Sequence, residues 1–122
     1  MYDTYGNTTQ VIDPNGNVTF DNRAGCSVPV YPGYVIKAYG TSLAEQTNFW
    51  WDCASGLLKE TQDTNGVITQ LAYDAIGRPT LVQAALGAAD ESDTAYIYAE
   101  PLTAAAPIVV TECRDLTGNA CL

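Results

Sequence analysis

The sequence predicts an all-β fold made of stacked antiparallel β-hairpins that form a curved, solenoid-like sheet. Three observations predict it. An aromatic-Asp pair followed by Gly recurs along the chain, a second Gly follows ten residues later in three of these units, and short runs rich in Thr, Val and Ile lie between the turns. The 122 residues suffice for one domain with a modest core.

The aromatic-Asp pair marks one kind of predicted turn, which we call a corner. The Asp and Gly suit a tight change of chain direction, and the ring would lie between stacked hairpins. A weaker fifth unit has Arg114 in place of the ring, before Asp115 and Gly118. The four clear corners are Tyr2-Asp3 with Gly6, Phe20-Asp21 with Gly25, Trp51-Asp52 with Gly56, and Tyr73-Asp74 with Gly77.

A second kind of turn lies between the corners. Asp13-Pro14-Asn15-Gly16 aligns without gaps on Asp63-Thr64-Asn65-Gly66, with five identities in fourteen positions when the flanking residues are included. Asn-Gly is typical of a two-residue hairpin turn in which both residues adopt positive φ, and the preceding Asp can accept hydrogen bonds from turn amides. We therefore expect hairpin turns at both places.

Each period of about 20 residues then consists of strand, turn, strand and corner. The period divides the chain into repeat units near 2–19, 20–50, 51–72 and 73–100, followed by a connector and partial terminal repeat at 101–122. Pro101 and Pro107 limit that last segment to an edge strand or connector. One such hairpin is marginal in water, so neighbouring repeats should stack to bury its rings.

Composition excludes several functions. The chain has no histidine, which removes His-based catalysis and His-containing metal sites, and we expect no catalytic residue, metal site or cofactor. Fourteen acidic residues against five scattered basic ones give a net charge of −9, so nucleic acid is not an expected partner. No apolar run approaches the roughly 18 residues of a membrane span, and we expect no membrane insertion.

The stretch from Trp51 to Thr69, continuing into Tyr73-Asp74-Ala75-Ile76-Gly77-Arg78, resembles two successive repeats of the RHS/YD-repeat family. Tyr-Asp-Ala-x-Gly-Arg is the core phrase of that family. The resemblance extends well over Tyr2 to Thr19 and loosely over Tyr31 to Gly40, and it fades in the last 30 residues. Trp51 and Phe20 in place of Tyr, and the extra residues between Gly40 and Trp51, are departures from the family pattern.

The resemblance implies a non-enzymatic structural module from a secreted or cell-surface bacterial protein. In bacterial polymorphic toxins and insecticidal toxin complexes, RHS repeats spiral into a hollow shell that encloses a toxic polypeptide, and teneurins carry a similar shell outside the cell. The expected partners are neighbouring repeats or copies of this chain, which pair through sheet edges, and an enclosed toxin polypeptide. Because the repeat is already under way at Tyr2, we expect Met1 to begin a piece of something longer.

Four cysteines occur without a Cys-x-x-Cys pair, which argues against a zinc ribbon. Outside the cell, two disulfides are the favoured interpretation, and four thiols are the alternative. Of the three connectivities, Cys26 with Cys53 and Cys113 with Cys121 is favoured, because the first two lie at stacked corners and the last two flank a short turn.

A surface that binds carbohydrate is the alternative function, because flat aromatic rings can stack on sugars. Trp50, Tyr34 and Tyr39 are the candidates for exposed rings. A loose calcium site between neighbouring Asp-x-Asn-Gly turns is a weaker possibility, since oxygen ligands suit Ca²⁺. The acidic stretch from Asp90 to Asp93 is expected to be a solvated loop.

Overall fold

The computed structural model describes residues 1–98 completely and residues 110–115 as backbone. Every regular element in these ranges is a β-strand, as the Thr-, Val- and Ile-rich runs predict. The strands are β1 Gln10–Ile12, β2 Val18–Asn22, β3 Tyr34–Lys37, β4 Glu45–Asp52, β5 Leu57–Gln62, β6 Ile68–Tyr73, β7 Pro79–Ala84, β8 Ser92–Tyr98 and β9 Val110–Asp115.

The chain divides into two compact units, the first of which spans Met1–Ile68. In this unit β1 to β5 pair in sequence order, each antiparallel to the next. Phe20 lies opposite Ile36, and Tyr34 lies opposite Asn48, so their side chains share one face of the sheet. A β-bulge lies where Trp51 of β4 pairs with β5.

The second unit spans Thr69–Leu122. Here β6 to β9 also pair in sequence order and antiparallel. Leu71 lies opposite Val82, which in turn lies opposite Thr94, and a register shift occurs between Ala72 and Tyr73. The strand order in both units confirms the predicted all-β class of consecutive antiparallel hairpins.

The described side chains form no buried hydrophobic core. No hydrophobic residue among residues 1–98 is buried, and Tyr2 and Tyr5 are 74% and 75% exposed. A sheet buries apolar side chains only when a second layer packs on it. Side chains therefore pack mainly against neighbours on the same face of each sheet.

The outer edge of β1 is partly covered by the residues before it. The ammonium group of Met1 donates a hydrogen bond to the carbonyl of Gln10 (2.7 Å), and the amide of Thr9 donates to the carbonyl of Met1 (2.9 Å). Tyr2 and Thr8 also form an antiparallel bridge. This edge therefore offers fewer free backbone groups than an uncovered strand would.

Across the described ranges there is no helix long and apolar enough to span a membrane.

Candidate functional site

The Asp-x-x-Gly turns are the feature that recurs through both units. At residues 13–17 the amide of Gly16 donates to the carbonyl of Asp13 (2.9 Å), and the amide of Asp13 donates to the carbonyl of Asn17 (3.0 Å). One carboxylate oxygen of Asp13 accepts the amides of Asn15 (2.8 Å) and Asn17 (2.9 Å). A single side chain thus satisfies two amides that the turn would otherwise leave unpaired.

The conformation of this turn corrects one expectation. Neither Asn15 nor Asn65 has positive φ; Gly16 (φ 85°) and Gly66 (φ 81°) are the left-handed residues. The loop is therefore a three-residue connection, a type I turn followed by a left-handed glycine, and not a two-residue Asn-Gly turn. The prediction of a two-residue turn was wrong because it overlooked how strongly the Asp carboxylate stabilises the longer loop.

Corners and hairpin turns use the same hydrogen bonds. At the first corner, Asp3 accepts the amides of Tyr5 and Asn7, each at 2.9 Å, and Gly6 has φ of 84°. The Asp63 turn and the Asp74 corner repeat the pattern, with Gly66 and Gly77 in the left-handed conformation. At these four places the two kinds of turn that the sequence distinguishes have the same structure.

At the Asp3 and Asp74 corners, the second carboxylate oxygen accepts a hydrogen bond from the side chain of the residue after Gly. The side-chain amide of Asn7 donates to Asp3 (2.9 Å), and the guanidinium of Arg78 donates to Asp74 (2.6 Å). Arg78 also lies over the ring of Tyr98, 4.2 Å from its centroid, and the Tyr98 hydroxyl donates to the carbonyl of Pro79 (2.6 Å). The Arg of the Tyr-Asp-Ala-x-Gly-Arg phrase therefore ties its corner to β8.

These carboxylates are poor candidates for acid-base chemistry. The hydrogen bond from the Asn7 side chain lowers the pKa of Asp3, and that from Asn17 lowers the pKa of Asp13. At Asp52 the Ala54 amide has the largest effect, and it also lowers the pKa. Partial burial raises the pKa of Asp74, but the hydrogen bonds from Arg78 and the backbone outweigh it, so the pKa falls. All four remain ionised and occupied as acceptors.

The Trp51 corner differs from the others. Its turn is one residue longer, and the amide of Gly56 donates to the carbonyl of Asp52 (2.7 Å). Tyr31 stacks on Trp51 with ring centroids 4.9 Å apart, and the indole N–H of Trp51 donates to the carbonyl of Pro32 (2.8 Å). The connection between β2 and β3 therefore folds over this corner and covers its ring.

A disulfide joins the same two segments. Cys26 and Cys53 are bonded, with their Cα atoms 5.8 Å apart. This is the pairing that the sequence favours for the first two cysteines. Of the other predicted pair, Cys121 lies outside the described residues, as does the side chain of Cys113.

The predicted corner at Phe20-Asp21 does not form. Gly25 is absent from the left-handed residues, and Asp21 lies in β2, where it pairs with Arg23 (2.7 Å). The 23–33 segment replaces the tight turn and is held by the side chain of Asn7, which donates to the carbonyl of Pro29 (2.7 Å). The extra residues noted between Gly40 and Trp51 do not form this segment, since most of them belong to β4.

The three candidate sugar-binding rings lie on one face of the first unit, though two are less free than expected. Trp50 is 45% exposed and projects opposite to Phe49 and Trp51, which contact each other. Tyr34 is half-buried beside Phe20, at 6.2 Å between centroids. Tyr39 is 49% exposed but stacks on the same Phe20 ring at 5.3 Å.

Amide side chains accompany these rings. Gln46 donates to Asn48 (2.7 Å), and Asn48 donates to Gln62 (3.5 Å). Asn48 lies opposite Tyr34 and two residues before Trp50, so amides and rings share the face. The sequence patterns above did not single out this row; residues 46, 48 and 50 alternate along one strand, which is the signal that could have revealed it.

Asp93 does not lie where the acidic stretch predicts. It was expected in a solvated loop, but it lies in β8 and is only 4% exposed, with the side-chain amide of Gln83 3.4 Å from both carboxylate oxygens. No group of three or more His, Cys, Asp or Glu side chains within the described residues could hold a metal ion. Within those residues, Asp13 and Asp63 therefore do not belong to such a group.

Comparison with protein families identifies the corner and turn pattern. The model for the RHS repeat matches residues 51–89. That segment starts at the ring of the Trp51 corner and includes the Asp63 turn and the Asp74 corner. The chain carries an RHS repeat. Comparison with curated proteins gives no match.

The RHS repeat is a structural repeat, and the geometry of this one is consistent with that role. Within the matched segment, the Asp and Gly residues shape turns while Trp51 and Arg78 pack against neighbouring segments. Residues 51–89 are thus similar to a structural repeat of the RHS kind. RHS-repeat proteins are typically extracellular or displayed at the cell surface.

Proposed function

We propose that this chain is a non-enzymatic segment of wall in a larger RHS-repeat assembly outside the cytosol, and that neighbouring repeats or copies of the chain cover its exposed rings. The observation that carries the proposal is the lack of a buried hydrophobic core among residues 1–98. An antiparallel sheet with both faces open loses the stabilisation that burial of its apolar side chains would provide, about 25 cal/mol per Å².

The Trp51 corner illustrates how such a cover is made. There the ring is half-buried, because Tyr31 stacks on it and Pro32 accepts its indole N–H. Tyr2 occupies the equivalent position of the first corner, yet it is 74% exposed. A segment that resembles 23–33, supplied by an adjoining repeat or a second copy, would cover Tyr2 in the same way.

The disulfide supports placement outside the cytosol. Disulfides persist in oxidising compartments and are rare where glutathione keeps thiols reduced. Cys53 is exposed, so in a reducing compartment thiolates could reach and reduce its disulfide with Cys26. A secreted or surface-displayed bacterial protein, with the repeats enclosing a toxin polypeptide or associating with one another, would lie in the oxidising surroundings that this disulfide needs.

Sedimentation of the purified chain at increasing concentration tests the proposal. We expect reversible association, and we expect Tyr2→Ser to weaken it because that variant removes a ring that a neighbour would cover. Ile76→Ser is the matched control, since Ile76 is 72% exposed at the tip of a corner rather than at a ring position. A chain that stays monomeric at high concentration, with no binding of a hydrophobic dye, would refute the proposal that neighbouring repeats or copies cover the exposed rings.

A second candidate function is binding of glycans on the ring and amide face. The specific observation is that exposed Trp50 shares this face with Asn48 and Gln46, whose amides can hydrogen-bond hydroxyl groups. Calorimetric titration with a panel of polysaccharides tests it. Trp50→Ala should abolish any binding, and Ile97→Ala, a comparably exposed apolar residue in the second unit, should not. No heat from any polysaccharide would reject this function.

A further inference from the structure

Two turn tips in the first unit combine the features that favour spontaneous rearrangement of asparagine. Asn15 and Asn65 each precede a glycine, and both pairs are exposed. Glycine has no side chain to shield its backbone nitrogen, and a Cβ added at Gly16 would have no neighbour within 4 Å. The backbone nitrogen of Gly16, the residue after Asn15, is therefore not shielded by neighbouring side chains.

The side chains of Asn15 and Asn65 are also free to rotate. Only their backbone amides take part in hydrogen bonds of the described residues, each donating to the Asp two positions earlier, at 2.8 Å in both turns. Their side-chain carbons can thus turn towards the glycine nitrogen without breaking a side-chain bond.

The other described asparagines are held or crowded. The side-chain amides of Asn7 and Asn17 donate to the carboxylates of Asp3 and Asp13, at 2.9 and 2.8 Å. The residues that follow them are Thr8 and Val18, whose β-branched side chains crowd the backbone nitrogen. Asn22 and Asn48 likewise hydrogen-bond through their side chains and precede residues with bulky side chains.

We propose that Asn15-Gly16 and Asn65-Gly66 are sites of spontaneous deamidation and isoaspartate formation in the folded chain. The deprotonated backbone nitrogen of the glycine attacks the side-chain carbonyl carbon of the asparagine. A carbon-nitrogen bond forms, the side-chain nitrogen leaves as ammonia, and a five-membered succinimide results. Water then opens the ring at either carbonyl, which yields aspartate or isoaspartate.

Each event adds a negative charge beside the turn carboxylate. Isoaspartate also inserts one extra carbon into the main chain of a loop whose closure depends on the bond from Gly16 to Asp13, or from Gly66 to Asp63. The Asp carboxylate could then no longer accept the same amides at the same distances. The modification would therefore destabilise the hairpin turn at residues 13–16 and the one at residues 63–66.

The hydrogen bond of each glycine nitrogen slows the reaction in the folded chain relative to the denatured one. The glycine nitrogen must leave its hydrogen bond, 2.9 Å at Gly16 and 3.0 Å at Gly66, before it can attack. An exposed hydrogen bond of this kind has a small net stabilisation, so the folded chain should react only about two- to tenfold more slowly than the denatured one.

Incubation of the oxidised chain at mildly alkaline pH, with and without denaturant, tests the proposal. Peptide mass spectrometry and methylation by an isoaspartate methyltransferase follow each asparagine. We expect modification at Asn15 and Asn65, none at Asn7 and Asn17, and loss of methylation at one site only in Asn15→Ser. Retardation of both sites by more than about a hundredfold relative to denatured chain, or faster reaction at Asn7 or Asn17, would overturn it.

Discussion

Gly56 is the position at which a single methyl group should best reveal how the 23–33 segment is held. Its φ of 76° lies in the left-handed region, and a Cβ built there would overlap the hydroxyl oxygen of Tyr31 and lie 3.2 Å from its Cζ atom. Gly56→Ala must therefore both strain the backbone and displace the ring that covers Trp51.

The magnitude follows from the two costs. A non-glycine residue in the left-handed region costs about 1–2 kcal/mol. Loss of the stack between Tyr31 and Trp51 costs about 0.5–1.5 kcal/mol more. We expect Gly56→Ala to lower the free energy of unfolding by about 1.5–3.5 kcal/mol. Gly16→Ala is the matched control, because Gly16 has φ of 85° with open space around it and should lose only the backbone contribution.

Urea unfolding of the oxidised chain, followed by tryptophan fluorescence, measures both variants. Tyr31→Phe removes the overlapping hydroxyl, so it should recover part of the loss in the Gly56→Ala background and have little effect in the Gly16→Ala background. Such coupling is what a double-mutant cycle detects. Equal losses for the two alanine variants, with no recovery from Tyr31→Phe, would refute the assigned contact.

Three further predictions concern other parts of the first unit. Ala38 has φ of 50°, so Ala38→Gly should raise the free energy of unfolding by about 0.5–1 kcal/mol in the same urea assay; a loss would contradict the strain argument. The hydrogen bond from the Asn17 side chain lowers the pKa of Asp13. The ionised Asp13 carboxylate therefore stabilises the folded chain at pH values above its ordinary pKa of 3.8, and this stabilisation is lost as the pH falls through the lowered pKa. Melting temperatures from about pH 5 to pH 2 should therefore fall less steeply in Asp13→Asn than in the parent chain, and parallel curves would count against this. Reduction, or Cys26→Ser with Cys53→Ser, should cost about 3–4 kcal/mol for a sequence separation of 27, and added reductant should leave the double variant unchanged.

Much of the fold could be predicted because its signals are local. An Asp and a Gly three residues apart, as at Asp13 and Gly16, already contain the acceptor and the left-handed residue that the loop needs. Strand alternation placed Phe49 and Trp51 on one face and Trp50 on the other. The first disulfide was predicted from stacked corners, and the pairing is right although the corner at Phe20-Asp21 does not form: Cys26 lies in the 23–33 segment that folds over the Trp51 corner.

The errors arose where a residue's role depends on a distant partner. Phe20-Asp21 matches the corner pattern, but the chain continues from it to Tyr31, whose ring stacks on the distant Trp51. Asp93 resembles a loop residue in an acidic stretch, and only its position opposite Gln83 reveals that it lies buried in a strand. Tyr34 and Tyr39 carry no local sign of the Phe20 ring that both contact.

The sequence by itself determined the repeat, the all-β class and most of the places where the chain turns, because those depend on backbone preferences and on hydrogen bonds within a few residues. Only the tertiary structure decided which rings are covered. Trp51 is half-buried under Tyr31, and the equivalent Tyr2 remains exposed, although both precede an Asp at a corner. Coverage of Trp51 depends on a segment that is distant in sequence, and its free energy comes from contacts that no short pattern encodes.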